Sequence, residues 1–173
     1  MQEFSFHVNG NGYAKLDSNF LDRSDLSRPE QIEIEFTPAS LNGVLLWQGD
    51  NSNYLYIGLK DGYLEYVYNN LKTTLEVEGK PISLGHTHRL VSTRRNGSLE
   101  LIIDDNKYEA YTDYSSNRVK GDIYLGASPI SVHGRFNKGL VGCINYVAFG
   151  NKSQINILQE GVKLHNAEKK CSS

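Results

Sequence analysis

The sequence predicts an all-β protein built as an antiparallel β-sandwich. Apolar and polar residues alternate strictly over 31–36, as expected for a strand with one buried face. Two pairs of strand-like segments flank the two-residue turns Asp61-Gly62 and Asn96-Gly97, which are typical of β-hairpins. The chain also holds 11 Tyr and 16 Gly, which favours strands and turns over helices.

The strands are predicted from alternation, apolar runs and the turns between them. Residues 43–47 form a short apolar run after an Asn-Gly pair, which indicates a buried strand. Only residues 157–161 have a plausible short helical pattern. The predicted strands cover residues 4–8, 13–16, 31–36, 43–47, 54–60, 63–68, 73–77, 89–94, 98–103, 123–125 and 140–149.

Length and charge limit the class of protein. A chain of 173 residues is most simply one domain, so we expect a single domain over 1–173. The net charge of −2 gives no general attraction to nucleic acid, and no apolar run is long enough for a membrane span. The first residues do not have the basic and apolar pattern of a signal peptide. If the protein is secreted, we therefore expect this chain to be a fragment of a longer one.

Two cysteines, Cys143 on an apolar segment and Cys171 in a polar tail, lie 28 positions apart. They fit either one disulfide in an oxidising compartment or two free thiols in a reducing one. Two sequons for N-linked glycosylation, at Asn96 and Asn151, are consistent with the extracellular alternative.

Several segments resemble the laminin G-like domain family, most closely the domains of the basement-membrane proteoglycans perlecan and agrin. The segments are 43–49, 54–64, 85–90, 123–129 and, most specifically, 135–144, which reads RFNKGLVGCI. The resemblance extends from Phe6 to Cys171. Thr87 departs from it, because the family usually has Trp at that position.

The resemblance implies a two-sheet jellyroll sandwich of about fourteen strands, with a disulfide between Cys143 and Cys171. It also implies a secreted binding module of the extracellular matrix or basement membrane. The typical partners are cell-surface receptors such as dystroglycan or integrins, and sulfated or acidic glycans such as heparan sulfate. We expect the isolated domain to be a monomer that binds no nucleic acid and does not insert into membranes.

Family members bind partners through one rim of loops, often around calcium. Here the corresponding rim loops are 48–53, 69–72 and 115–121. The candidate ligand-binding residues on this rim are Asp50, Asn51, Asn53, Asn70, Arg118 and Lys120.

The calcium site of the family transfers poorly to this sequence. Its ligand positions correspond to Asn53, Asn70, Ser116 and either Asn117 or Arg118. Calcium favours carboxylates, and an arginine about 4 Å from the ion would cost roughly 4 kcal/mol per unit of ion charge at an effective dielectric near 20. We therefore expect calcium to bind weakly or not at all. Arg118 and Lys120 could instead contact an acidic sugar or peptide, or be ordinary solvated charges.

Two pairs of residues could indicate a catalytic site or a metal site, but neither pair is supported by its surroundings in the sequence. Glu33 and Glu35 share one strand face, and sandwich-fold glycosidases use acid pairs, but here they read as the outer face of an ordinary strand. His86 and His88 could begin a metal site, but no third ligand has matching spacing, so we expect a solvated strand. We therefore expect a binding module that is not an enzyme. The alternatives are a structural spacer and a carbohydrate-active enzyme.

Overall fold

The computed structural model describes residues 3–21, 29–50, 52–68, 73–77, 79–95, 97–111, 119–128, 138–150 and 152–171. These residues contain twelve strands and one short 3-10 turn, Ser18–Phe20. The strands are β1 (Phe6–Leu16), β2 (Glu30–Pro38), β3 (Gly43–Gly49), β4 (Tyr54–Lys60), β5 (Tyr63–Tyr68), β6 (Thr73–Glu76), β7 (His88–Arg95), β8 (Ser98–Ile103), β9 (Asn106–Tyr111), β10 (Ile123–Leu125), β11 (Val141–Phe149) and β12 (Val162–Glu168).

The strands pair antiparallel in the order β6-β5-β4-β3-β10-β1-β11-β2-β7-β8-β9, and β12 pairs with β1. Strand β1 links the two layers of the sandwich. Its first half (6–9) pairs with β11 and its last residues (14–16) pair with β10. The pairing of β12 with β1 shifts register between Val8 and Tyr13, where β1 crosses from one layer to the other. The predicted all-β sandwich is confirmed.

The core lies between the two layers, where alternate residues of each strand point inwards. In β2 the inward residues are Ile32, Ile34 and Phe36, all at most 1% exposed. In β4 they are Leu55, Ile57 and Leu59, at most 2% exposed. The outward residues of β2, including Glu33 and Glu35, are half-buried. The alternation read from the sequence therefore gives the correct buried face.

The C-terminal tail is held by the disulfide between Cys143 and Cys171, whose Cα atoms are 5.9 Å apart. Cys143 lies on β11 next to β1, and Cys171 follows β12, the other neighbour of β1. The disulfide thus closes the last strand over the sandwich. The two sequons lie at Asn96 and Asn151, outside the described residues, so their use stays a prediction.

Some sequence predictions were wrong. Residues 157–161 form turns rather than a helix, because the Asn156 side chain accepts the Leu158 N–H and Gly161 has a left-handed φ of 91°. The strands predicted separately at 4–8 and 13–16 are parts of one continuous strand, β1, which begins at Phe6 and ends at Leu16.

His88 is not solvated: it is 8% exposed, and its Nδ1 bonds the Asp104 carboxylate. Its Nε2 lies 2.8 Å from the Ser83 carbonyl oxygen.

Candidate functional site

The direction of the strands determines which loops meet at the end of the sandwich that holds the predicted rim. Strands β3 and β5 end there, and β4 and β10 begin there, because neighbouring strands are antiparallel. This arrangement brings the described parts of two predicted rim loops together. They are residues 48–50 and 52–53 of the first loop and residues 119–121 of the second. Tyr68, the last residue before the third predicted loop, lies at the same end. Asn51, Asn70, Ser116, Asn117 and Arg118 lie outside the described residues.

The first rim loop is a tight turn organised by Asp50. One carboxylate oxygen of Asp50, Oδ1, accepts hydrogen bonds from the Ser52 N–H at 2.8 Å, the Ser52 hydroxyl at 2.9 Å and the Asn53 N–H at 2.8 Å. The Asp50 N–H in turn donates to the Asn53 carbonyl at 2.9 Å. The two N–H groups, with the Ser52 hydroxyl, hold the pKa of Asp50 below its ordinary value.

Glycine is required where this turn leaves β3. Gly49 has a φ of 120°, a conformation that side-chain-bearing residues rarely adopt. A Cβ atom on Gly49 would also lie only 2.1 Å from the Asn53 carbonyl oxygen. The turn therefore closes against β3 more tightly than any other residue would allow, which fixes where Asp50 and Asn53 lie.

The second rim loop is fastened to the first by a buried amide. The Gln48 side chain is 0% exposed, and its Nε2 donates to the Gly121 carbonyl at 2.9 Å. The neighbouring Val119 N–H donates to the Tyr68 hydroxyl at 3.0 Å. Between these two anchors Lys120 is exposed, at the same edge as the exposed Asp50 and Asn53.

A buried polar group beneath this rim was missed by the sequence reasoning. Arg94 and Glu30 face each other across β7 and β2, with 3.6 Å between Nη2 and Oε2 and side chains that are 4% and 1% exposed. The Arg94 guanidinium lies over the Tyr68 ring. The alternation of β2 continued back by two residues puts Glu30 on the core face, and the Leu90, Ser92, Arg94 series does the same for β7, so the signal was present.

The carboxylates of this rim do not form an evident calcium site. In the described part of the chain there is no group of three or more His, Cys, Asp and Glu side chains that could hold a metal. Asp50 Oδ1 is already engaged by three donors within its own turn. Asn53, the candidate ligand among the described residues, is exposed beside it, and weak or absent calcium binding stays a prediction.

The acid pair on β2 has the surroundings of an outer strand face. Glu33 forms an ion pair with Arg89 on the neighbouring strand β7. Both Glu33 and Glu35 are half-buried side chains on the outward face of β2. The sequence-based interpretation of Glu33 and Glu35 as an ordinary outward face agrees with this arrangement.

The described residues contain no helix that is long and apolar enough to cross a membrane. Comparison with solved structures shows the same fold in two laminin chains. The laminin α2 LG1-3 region aligns over 99% of this chain and 31% of that one, with a TM-score of 0.75 and 16% identity. The LG4-5 domains of mouse laminin α1 align over 95% of this chain and 46% of that one, with a TM-score of 0.71 and 22% identity.

Relatives in sequence include a basement-membrane proteoglycan and pikachurin. The basement membrane-specific heparan sulfate proteoglycan core protein of Mus musculus is 28% identical over 155 residues, 82% of this chain. Pikachurin of Homo sapiens is 29% identical over 169 residues, 88% of this chain. This chain spans only 4% and 16% of the lengths of those two proteins. The Laminin G domain family matches residues 36–152, so this chain belongs to the laminin G domain family.

Proposed function

We propose that residues 1–173 form a single laminin G-like domain of a secreted matrix protein of the perlecan or agrin type. In this proposal the domain is a binding module and not an enzyme. It recognises a cell-surface receptor, such as dystroglycan or an integrin, or an acidic glycan, through its loop rim. Family membership, the matrix proteins among its relatives and the Cys143–Cys171 disulfide support this assignment.

The observation that carries the proposal is the fastening of two rim loops to each other. The Gln48 amide bonds the Gly121 carbonyl, and the Asp50 turn is closed by three hydrogen bonds to one oxygen. A rim held in this way presents exposed polar groups with little loss of conformational entropy on binding. Lys120, on the second loop, supplies a positive charge for an acidic partner.

The first experiment measures binding of the domain to glycosylated dystroglycan and to heparan sulfate, with calcium and with EDTA. We expect binding to persist in EDTA, because in this proposal the family's calcium site is weak or absent, with Asn53 in place of a carboxylate ligand. Loss of binding in EDTA, or micromolar calcium binding by calorimetry, would show that the metal site survives. Failure to bind any receptor or glycan would favour the structural spacer.

A matched pair of charge reversals locates the contact surface. Lys120→Glu changes a charge on the rim, and Lys60→Glu makes the same change at the far end of β4, where Lys60 is also exposed. Because both variants alter the net charge equally, a general electrostatic effect would appear in both. We expect Lys120→Glu to weaken binding by roughly fivefold or more and Lys60→Glu to leave it unchanged. Equal losses would contradict binding at the rim.

A further inference from the structure

The buried histidine of the domain, His88, lies at the end of the sandwich opposite the rim. Strand β7 begins at His88, and near its other end Arg94 lies over the Tyr68 ring beside the rim. The His88 ring is 8% exposed, and its centre is 5.8 Å from that of the Phe36 ring. The ring lines a cleft of about 350 Å³ between β5 and the hairpin of β8 and β9.

Both ring nitrogens of His88 face oxygen atoms. Nδ1 bonds Oδ2 of Asp104, in the turn between β8 and β9, and Nε2 lies 2.8 Å from the carbonyl oxygen of Ser83. Carbonyl and carboxylate oxygens accept hydrogen bonds and cannot donate them. Each contact is therefore a hydrogen bond only when the facing nitrogen carries a proton. The arrangement fits an imidazolium ring that donates to both sides.

Few other charges surround this ring. Among the residues that the structure describes, the Asp104 carboxylate is the charged group in direct contact with it. The side chain of the next residue, Arg89, is paired with Glu33 on the outer face of the sheet. The other titratable groups that line the cleft are Lys80, Tyr63 and Tyr108.

Loss of one ring proton would break one of the two contacts before the other. A hydrogen bond from Nδ1 to a carboxylate is charge-assisted and stronger than one to a neutral carbonyl, so the remaining proton stays on Nδ1. Nε2 then points a lone pair at the Ser83 carbonyl oxygen 2.8 Å away, and two acceptors at this distance repel each other. We propose that His88 is a pH-sensitive latch, which holds the Ser83 carbonyl when the ring is charged and releases it when the ring is neutral.

The segment held by this latch is short. On one side of Ser83, the Ile82 N–H donates to the Gly62 carbonyl at 2.7 Å. On the other side, the Gly85 N–H donates to the Pro38 carbonyl at 2.8 Å. The His88 contact lies between these two backbone hydrogen bonds, so its loss should loosen residues 82–85. Ile82 and Ser83 also line the cleft, which should therefore widen as the pH rises.

The other partner of the latch has its own support. The Asp104 N–H donates to the Arg89 carbonyl at 3.1 Å, and Asp104 Oδ1 accepts the Arg89 N–H at 2.9 Å. Because these two bonds do not involve His88, the turn at Asp104 keeps its place when the ring loses a proton. The conformational change is thus confined to one wall of the cleft, and the latch does not depend on the function proposed for the rim.

The test follows several signals during one pH titration of the wild-type protein by NMR, over pH 5–9. The ring ¹⁵N shifts of His88 report its protons, and the amide ¹⁵N shift of Leu84 reports the Ser83 carbonyl, because both belong to one peptide group. We expect two ring protons at the acidic end, one on Nδ1 at the alkaline end, and the Leu84 shift to follow the same curve. Exchange of the Ile82 and Gly85 amide hydrogens, corrected for its intrinsic pH dependence, should rise along that curve by roughly tenfold or more.

Two histidine variants form a matched pair for the same titration. His88→Gln removes the latch, and His86→Gln makes the same change at an exposed position two residues earlier. We expect the pH dependence at Leu84 to disappear in His88→Gln and to remain in His86→Gln. Asp104→Asn keeps the size of the side chain but removes its charge, so it should move the ring and Leu84 curves together to lower pH. This third variant tests the latch even where His88→Gln does not fold.

Three outcomes would contradict the latch. A ring that holds a single proton over the whole titration would show that His88 is not charged in the folded protein. A ring that titrates while the Leu84 shift and the exchange of Ile82 and Gly85 stay constant would show that the segment does not depend on it. Equal changes in His88→Gln and His86→Gln would indicate a general effect of pH. Binding at the rim enters none of these results, so the latch and the proposed function can fail separately.

Discussion

The guanidinium carbon of Arg94 lies 4.2 Å from the centre of the Tyr68 ring, so a cation on β7 is stacked against an aromatic ring on β5 of the opposite layer. The same tyrosine accepts the Val119 N–H through its hydroxyl. A chain of contacts therefore runs from Glu30 through Arg94 and Tyr68 to the second rim loop. Side chains in the core thus determine the position of backbone at the proposed binding surface.

Removing one member of the buried ion pair should be costly. Arg94→Met leaves the Glu30 carboxylate buried without its cation, and neither Glu30 oxygen has a hydrogen bond among the described residues. We expect a loss of about 3–5 kcal/mol in the free energy of unfolding, measured with urea. The double variant Arg94→Met/Glu30→Leu should recover most of this loss, since an apolar pair needs no compensation. A double variant as unstable as the single one would contradict the ion-pair account.

The Tyr68 hydroxyl should be needed for the order of the second rim loop. Tyr68→Phe keeps the ring under Arg94 but leaves the buried Val119 N–H without its acceptor. We expect a loss of about 1–3 kcal/mol and faster exchange of the Val119 amide hydrogen. The Ile34 amide, in a central strand, serves as the control and should exchange as in the wild type. Unchanged exchange at Val119 would show that the hydroxyl does not hold the loop.

The contribution of the Asp50 carboxylate to the stability of its turn should decrease at low pH. The pKa of Asp50 is depressed, so its contribution is present above the unperturbed value near 3.9 and is lost as pH falls through the folded-state pKa. Asp50→Asn keeps an oxygen that can accept the hydrogen bonds of the turn, and Asp50→Ala does not. We expect partner binding at pH 7 to fall more in Asp50→Ala than in Asp50→Asn. Equal binding by both variants would show that the hydrogen bonds accepted by Asp50 are not needed for partner binding.

The disulfide should stabilise the domain by restricting the unfolded chain. Cys143 and Cys171 close a segment with a sequence separation of 28. Replacing both by alanine should lower the free energy of unfolding by about 3.6 kcal/mol in the loop-entropy model. Reduction of the wild-type protein should reproduce most of this loss in a urea titration and should have no effect on the double variant. A fully stable double variant would contradict the prediction.

Much of the fold could be predicted from local patterns, but two edge elements could not. The turn before β9 is made by Asp104 and Asp105, both with positive φ (48° and 70°), where glycine or asparagine is the usual signal. The apolar residues of β12, Val162, Leu164 and Ala167, are only partly buried, and the alternation of the strand is interrupted at Asn166, which has a φ of 47°. In the site, the rim positions of Asp50, Asn53 and Lys120 followed from the family resemblance. The Glu30–Arg94–Tyr68 contacts join distant strands, and spacing in the sequence does not specify such contacts.

The protein should become less stable in alkaline solution because of Tyr66. Burial, with a smaller contribution from the Glu30 carboxylate, raises the pKa of Tyr66 well above its ordinary value near 10. In the unfolded chain this tyrosine ionises near pH 10, so its contribution to stability is complete below that pH and declines above it. Over pH 8–11, the free energy of unfolding of the wild type should fall above pH 10 by up to about 1.4 kcal/mol per pH unit more than that of Tyr66→Phe. Parallel pH profiles for the two proteins would show that Tyr66 can ionise in the folded state.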